Sequence, residues 1–208
     1  KESIIYSRGN NPTLSILSKK IAALEGAEDA LLFASGMAAI SNAIISNINA
    51  GEHIICVDKP YSWTHHLLEK LLPRFSVEHT FVDGTDINNF IKAKKKNTRL
   101  IYLESPNSWT FEMQDLAAVA EFAKKNNITT IIDNSYSSPY NQQPIKFGID
   151  IVVHSATKYI GGHSDTVAGV LCSNRQMTNK IFENEYLTFG GIISPLNAWL
   201  LLRGLRTL

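Results

Sequence analysis

Lys158 sits in the run Asp150-Ile-Val-Val-His-Ser-Ala-Thr-Lys158-Tyr-Ile-Gly-Gly-His-Ser164, where an apolar stretch, Ile149 to Val153, leads into two hydroxyl residues, Ser155 and Thr157. A buried strand of that pattern delivers a lysine to a fixed point at its carboxyl end, where open α/β sheets bind ligands. Hydroxyls beside the lysine can hold a phosphate. An amine among apolar neighbours loses its proton easily enough to form a Schiff base with an aldehyde. Together these features suit pyridoxal 5′-phosphate (PLP). The lysine alone would equally describe a surface residue after a buried strand.

Asp133 closes a second apolar run, Thr129-Thr-Ile-Ile-Asp-Asn134. A carboxylate at the end of a buried strand is costly unless it meets a cation. The ring nitrogen of PLP is such a cation, since the cofactor is held by a lysine and an acidic partner for the pyridinium. Capping a helix is the other common use of an aspartate there. Ser35-Gly36-Met37 reads as a phosphate cup: the glycine lets the backbone approach an anion, and the following helix start presents free N–H groups. A helix cap at Ser35 is the plainer alternative. The chain contains no G-x-G-x-x-G or G-K-[ST] run, so this is not a nucleotide fingerprint.

The elements that must position these residues alternate. Leu14, Leu17, Ile21 and Leu24 recur at helical spacing, and Gly26 suits the stop. Ala30 to Ala34 is apolar, and a helix from about Met37 to Asn47 should follow. Strands read at His53–Val57, Val77–Val82, Arg99–Leu103 and Val167–Cys172, besides those ending near Asp133 and Val153. Leu116, Val119, Ala120 and Ala123 line one helix face, and helix dominates from Gln176 onward. Tyr136 to Phe147, with Pro139 and Pro144, is the irregular segment. Such alternation predicts an α/β fold, a largely parallel sheet with helices on both faces, forming one domain over residues 1–208.

A net charge of +1 over 208 residues, with 19% charged, calls for neither nucleic acid nor an anionic membrane. Lys94-Lys95-Lys96 reads as a solvated helix end. No apolar stretch reaches spanning length and residues 1–20 lack a signal-peptide core, which makes the cytoplasm the expected location. Cys56 and Cys172 read as buried thiols. The six histidines form no metal signature. Ser35, His163 and Asp165 could be assembled on paper into a hydrolase, but no G-x-S-x-G elbow supports them.

Taken in order, several motifs resemble the Cys/Met-metabolism PLP enzymes, the trans-sulfuration family of cystathionine synthases and lyases, methionine γ-lyase and O-acetylhomoserine sulfhydrylases. They are Tyr6-Ser-Arg-Gly-Asn-Asn-Pro-Thr13, Leu24-Glu-Gly26, Ala34-Ser-Gly-Met-Ala-Ala-Ile40, Pro60-Tyr61, Glu104-Ser-Pro106, Asp133-Asn134, Ser155-Ala-Thr-Lys158 and Arg203-Gly-Leu-Arg-Thr-Leu208. The resemblance implies the large domain of the aspartate-aminotransferase-like fold. It also implies an N-terminal arm before the equivalent of Tyr6 and a C-terminal α/β domain after that of Leu208, neither of which is in this sequence.

The roles implied are as follows. Lys158 holds PLP and moves the Cα proton, while Asp133 pairs with the ring nitrogen. Gly36 and Met37 bind the phosphate by their backbone, with Ser155 and Thr157 on its other side. Tyr61 stacks on the ring and protonates the departing thiolate. Tyr6 and Arg8 serve a neighbouring subunit's phosphate, so the working unit would be a homodimer or homotetramer with shared sites. Ser108 stands where many relatives carry an asparagine near the ring oxygen; here the asparagine is Asn107, one residue earlier. Trp63 is bulky at a position that faces the substrate in relatives. The implied activity is PLP-dependent C–S cleavage or γ-replacement on sulfur amino acids or activated homoserine esters. An aminotransferase of the same fold and a non-catalytic PLP-binding or oligomerisation module are the alternatives.

Overall fold

The computed structural model describes residues 6–208; the residues before Tyr6 lie outside this description. Asn11 starts helix α1 (Pro12–Glu25), its side chain accepting the Leu14 N–H at 3.1 Å, and Pro12 fills a first-turn position that needs no N–H donor. Gly26 ends α1 at φ 76°, as the spacing predicts.

Strands β1 (Asp29–Phe33), β2 (His53–Val57), β3 (Glu78–Val82), β4 (Thr98–Glu104), β5 (Thr129–Asp133), β6 (Ile151–His154) and β7 (Gly169–Ser173) make one seven-stranded sheet in the order β1-β7-β6-β5-β4-β2-β3. β2 to β6 run parallel, whereas β7 is antiparallel to both its neighbours. The reversal has a local cause. The chain from Ser155 to Ala168 returns without a crossover helix, and only an antiparallel neighbour can be reached that way.

The other α-helices are α2 (Gly36–Ile45), α3 (Ser62–His66), α4 (Ile87–Ala93), α5 (Leu116–Lys125), α6 (Ser138–Asn141), α7 (Arg175–Ile181), α8 (Leu187–Phe189) and α9 (Pro195–Gly204). They cover both faces of the sheet. Leu17, Ile21, Val119 and Leu201 pack on one face against Ile55, Ile101, Ile132 and Val152. Ala39, Ala43, Ile44 and Ile181 pack on the other against Ile54, Leu100, Ile131 and Ile151. Successive strand residues thus enter opposite cores, which is why these strands read as continuous apolar runs.

Cys56 and Cys172 are free, buried, and belong to opposite cores, so they cannot meet; burial pushes both thiols up. The segment expected to be irregular, 136–147, contains α6 and a 3-10 turn at Pro144–Phe147. Among the described residues no helix is long and apolar enough to cross a membrane.

Candidate active site

β5 and β6 are parallel neighbours, and their carboxyl ends bring Asp133 and the Lys158 turn together. β6 stops at His154, and Lys158 lies in the turn beyond it, its N–H donating to Ser155 O at 3.1 Å. Gly161 N–H to Ala156 O and Gly162 N–H to Lys158 O, both 2.8 Å, tighten that turn.

A cavity of about 300 Å³ opens here, lined by Ser35, Gly36, Met37, Tyr61, Glu104, Ser108, Asp133, Ser135, Tyr136, Ser155, Thr157 and Lys158 among others. It adjoins a larger hollow of about 1050 Å³ that shares Ser108, Ser135, Tyr136, Thr157 and Lys158. Nine of the expected site positions therefore converge on one place: Ser35, Gly36, Met37, Tyr61, Ser108, Asp133, Ser155, Thr157 and Lys158 line the smaller cavity, and Lys158 stands where the two spaces join. One expectation is corrected. The Lys158 side chain is exposed at the rim and is not enclosed by apolar neighbours, because its turn projects past the strand end.

Asp133 is buried, and its pKa is raised by burial against the opposing pull of Ser135. Its Oδ1 accepts both the N–H (2.9 Å) and the hydroxyl (2.5 Å) of Ser135. Ser135 Oγ in turn accepts the Ser155 N–H at 2.6 Å, which binds the ends of β5 and β6 together. With Oδ1 occupied, Oδ2 is the atom left for a cation in the cavity.

At the opposite wall Ser35 caps α2, its side chain accepting the Ala38 N–H at 3.1 Å. That leaves the first helical N–H groups, at Gly36 and Met37, without intrahelical partners, as at any helix start. The turn is tightly boxed. A Cβ on Gly36 would meet Ser155 Cβ at 2.9 Å, and one on Gly169 would meet Ser35 O at 2.1 Å. Ser35 is thus the cap of α2 and also lines the cavity.

Thr157 lines the cavity, but its hydroxyl already donates to Ala168 O (3.2 Å) and accepts from Ala168 N–H (3.1 Å). Ser108 is exposed at the mouth, its N–H held by Glu104 Oε1 at 2.8 Å. The displaced asparagine, Asn107, is a scaffold residue: buried, it donates to Lys59 O at 2.5 Å and accepts from Trp109 N–H at 2.9 Å. Trp63 is exposed and packs edge-on to His66, with ring centroids 5.5 Å apart, without lining either cavity.

Tyr6 and Arg8 are absent from both linings. Arg8 donates to Tyr6 Oη at 3.0 Å and to Leu187 O at 2.9 Å on the exposed surface. The paper hydrolase is not assembled, because Asp165 pairs with Arg203 at 2.5 Å and His163 Nδ1 bonds Gly161 O at 2.8 Å.

Residue-by-residue reading missed Glu104, Ser135, Gly169 and the buried His154–Glu25 pair at 2.7 Å. Glu104 was legible as part of a motif but carried no role, and its apolar strand offered the same strand-end signal that singled out Asp133.

The pocket fits PLP. Asp133 is a buried carboxylate in the cavity lining with only Oδ1 engaged, Gly36 makes a cradle that a Cβ would fill, and a lysine stands at the rim. A family model described as "Cys/Met metabolism PLP-dependent enzyme" matches residues 1–208. The chain is 40% identical over 203 residues to cystathionine beta-lyase MetC of Bacillus subtilis, covering 98% of this chain and 52% of the relative. It is 41% identical over 205 residues to L-methionine gamma-lyase of Fusobacterium nucleatum, with the same two coverages, 98% and 52%. The crystal structure of metB from Corynebacterium glutamicum superposes with a TM-score of 0.96 at 37% identity, over 100% of this chain and 54% of that one. Cystathionine gamma-lyase from Lactobacillus plantarum, complexed with L-serine, gives 0.93 at 37% identity, over 100% and 55%. The chain thus spans about half the length of these relatives.

Proposed function

The chain belongs to the Cys/Met-metabolism PLP-dependent enzymes, and from that premise we propose that the full protein catalyses C–S cleavage or γ-replacement on sulfur amino acids or activated homoserine esters. Residues 1–208 are read as its PLP-binding large domain. The supporting observation is the convergence of Asp133, the α2 N-terminus and Lys158 on one cavity of about 300 Å³.

When bound, PLP supplies an electron sink for the charge left as an amino acid loses its Cα proton. Asp133 Oδ2 would keep the ring nitrogen protonated, and Ser135 fixes the carboxylate that does so. The N–H groups of Gly36 and Met37, with the Ser35 and Ser155 hydroxyls, would hold the phosphate. Thr157 would join them only by releasing a bond to Ala168. The Tyr61 ring would cover one face of the cofactor, and its hydroxyl would hand a proton to the departing sulfur. Ser108 would donate to the ring oxygen. Lys158 would hold the cofactor covalently, then use its freed amine to carry the Cα proton.

Tyr6 and Arg8, clear of this cavity, would complete a neighbouring subunit's phosphate site in a homodimer or homotetramer, and the cytoplasm is the proposed location. The test is chemical. Borohydride reduction of the full-length, PLP-loaded protein should leave a pyridoxyl label on Lys158 in peptide mapping, and turnover of L-cystathionine or L-methionine should follow from the same preparation. A label on another lysine, or on none, removes the assignment.

A further inference from the structure

Glu104 and Asp133 are register partners that end neighbouring parallel strands, so two carboxylates stand side by side on one wall of the Lys158 cavity. Strands in a sheet lie about 4.8 Å apart, close enough for the charges to oppose each other. Burial, and then Asp133, push Glu104 above the usual carboxylate range. Asp133 stands beside it, Tyr61 lines the same cavity, Lys158 stands at the rim, and the hydroxyl of Tyr102 and thiol of Cys56 are close enough to feel its charge.

What Glu104 does with its charge is specific. Oε2 accepts the Tyr61 N–H at 2.7 Å, and Oε1 accepts the Ser108 N–H at 2.8 Å. These N–H groups belong to two separate loops, one following β2 and one following β4. Asn107 ties the same loops a second time through Lys59 O, at 2.5 Å. A carboxylate offers an acceptor to both N–H groups at once. An amide would present its own N–H bonds to one of them and lose that contact.

We infer that Glu104 is a positioning residue whose carboxylate latches the Tyr61 loop to the Ser108 loop and so fixes the Tyr61 ring over the cavity. Tyr61 depends on that latch. It caps the short helix α3 without a side-chain hydrogen bond and is 40% exposed, so packing alone does not hold it. The latch bears on cofactor binding only if the cavity is the PLP site proposed above, but its geometry is independent of that reading.

Amide hydrogen exchange on the full-length protein tests the latch, both with and without PLP. The Tyr61 and Ser108 amides should be protected at neutral pH, and at least one should show a lower protection factor once Glu104 is protonated on acidification, because the protonated oxygen becomes a donor. In Glu104→Gln at least one should exchange about tenfold faster, the equivalent of one hydrogen bond of ~1.4 kcal/mol. PLP affinity in Glu104→Gln should fall several-fold by equilibrium dialysis. In a Tyr61→Ala background the same substitution should change affinity less than about twofold, because the residue it acts through is gone.

Equal, additive losses in the two backgrounds would overturn the assignment. So would Tyr61 or Ser108 amides that exchange like open loop in the unmodified protein, a result that stands even if Glu104→Gln fails to fold. Protected amides without a label on Lys158 would instead retain the latch and reject the proposed function.

Discussion

Gly169→Ala gives the sharpest test of how the sheet builds the proposed phosphate cup. An added Cβ would lie 2.1 Å from Ser35 O, 2.6 Å from Ser35 C and 3.0 Å from Gly36 N. Carbon and carbonyl oxygen approach no closer than about 3.3 Å even in favourable contacts, so β7 and the Ser35–Gly36 turn must part by roughly 1 Å. Both sides are backbone, with no rotamer to yield, which places the cost near the upper end of the overpacking range, ~3 kcal/mol. For a chain of 208 residues that lowers Tm by roughly 6–12 °C, and by less in a longer one.

The same 1 Å shift carries the Gly36 and Met37 N–H groups out of hydrogen-bond range of an anion. Losing two bonds to a charged group, at ~1.5 kcal/mol each, weakens PLP binding by about 100-fold. Equilibrium dialysis and thermal melts of the full-length protein measure both effects. Gly51→Ala is the control: its Cβ meets nothing within 4 Å, but its φ of 82° strains the backbone, so it should cost stability and leave PLP affinity alone. A folded Gly169→Ala protein with wild-type PLP affinity and an unmoved Ser35–Gly36 turn would refute the reasoning.

Three further outcomes are expected. Asp133→Asn should keep the fold and lose most turnover. Because burial raises Asp133 above 3.8, its charge costs stability at pH above the folded pKa, so the cofactor-free variant should melt no lower than the parent at pH 7; a clear drop would mean the carboxylate is structural. His53, held between Thr98 (2.8 Å) and Thr80 (2.9 Å), is pushed down to about 4, chiefly by burial. The unfolded chain therefore takes its proton first, and roughly 2 kcal/mol of stability, complete above pH 6.5, is lost as pH falls from 6.5 towards 4. Urea midpoints across that window should flatten in His53→Gln, and an unchanged slope would assign the limb to other groups. Mixing Arg8→Ala with Lys158→Ala subunits should restore part of the activity, because one site of each mixed dimer regains both residues; mixed dimers with no recovery would return Arg8 to its own surface.

Asp133 and Lys158 were legible in the sequence because each signal is local: an apolar run that ends in a group the run itself cannot satisfy. The Ser35 cap, the Gly26 stop and the α5 stripe of Leu116, Val119, Ala120 and Ala123 are local too, and each fell where its spacing put it. Motif order then carried the family. Tertiary structure alone decided the rest. Glu104 acquires its work only when a loop 43 residues earlier in the chain, at Tyr61, folds onto it. Gly169 matters because β7 turns back antiparallel and presses on Ser35. Asn107 looks like a displaced site residue until Lys59 O is seen beneath it. The physical reason is common to all three: hydrogen-bond partners and hard contacts between distant segments leave no periodicity or composition in either segment, and they exist only once the sheet has set the spacing between them.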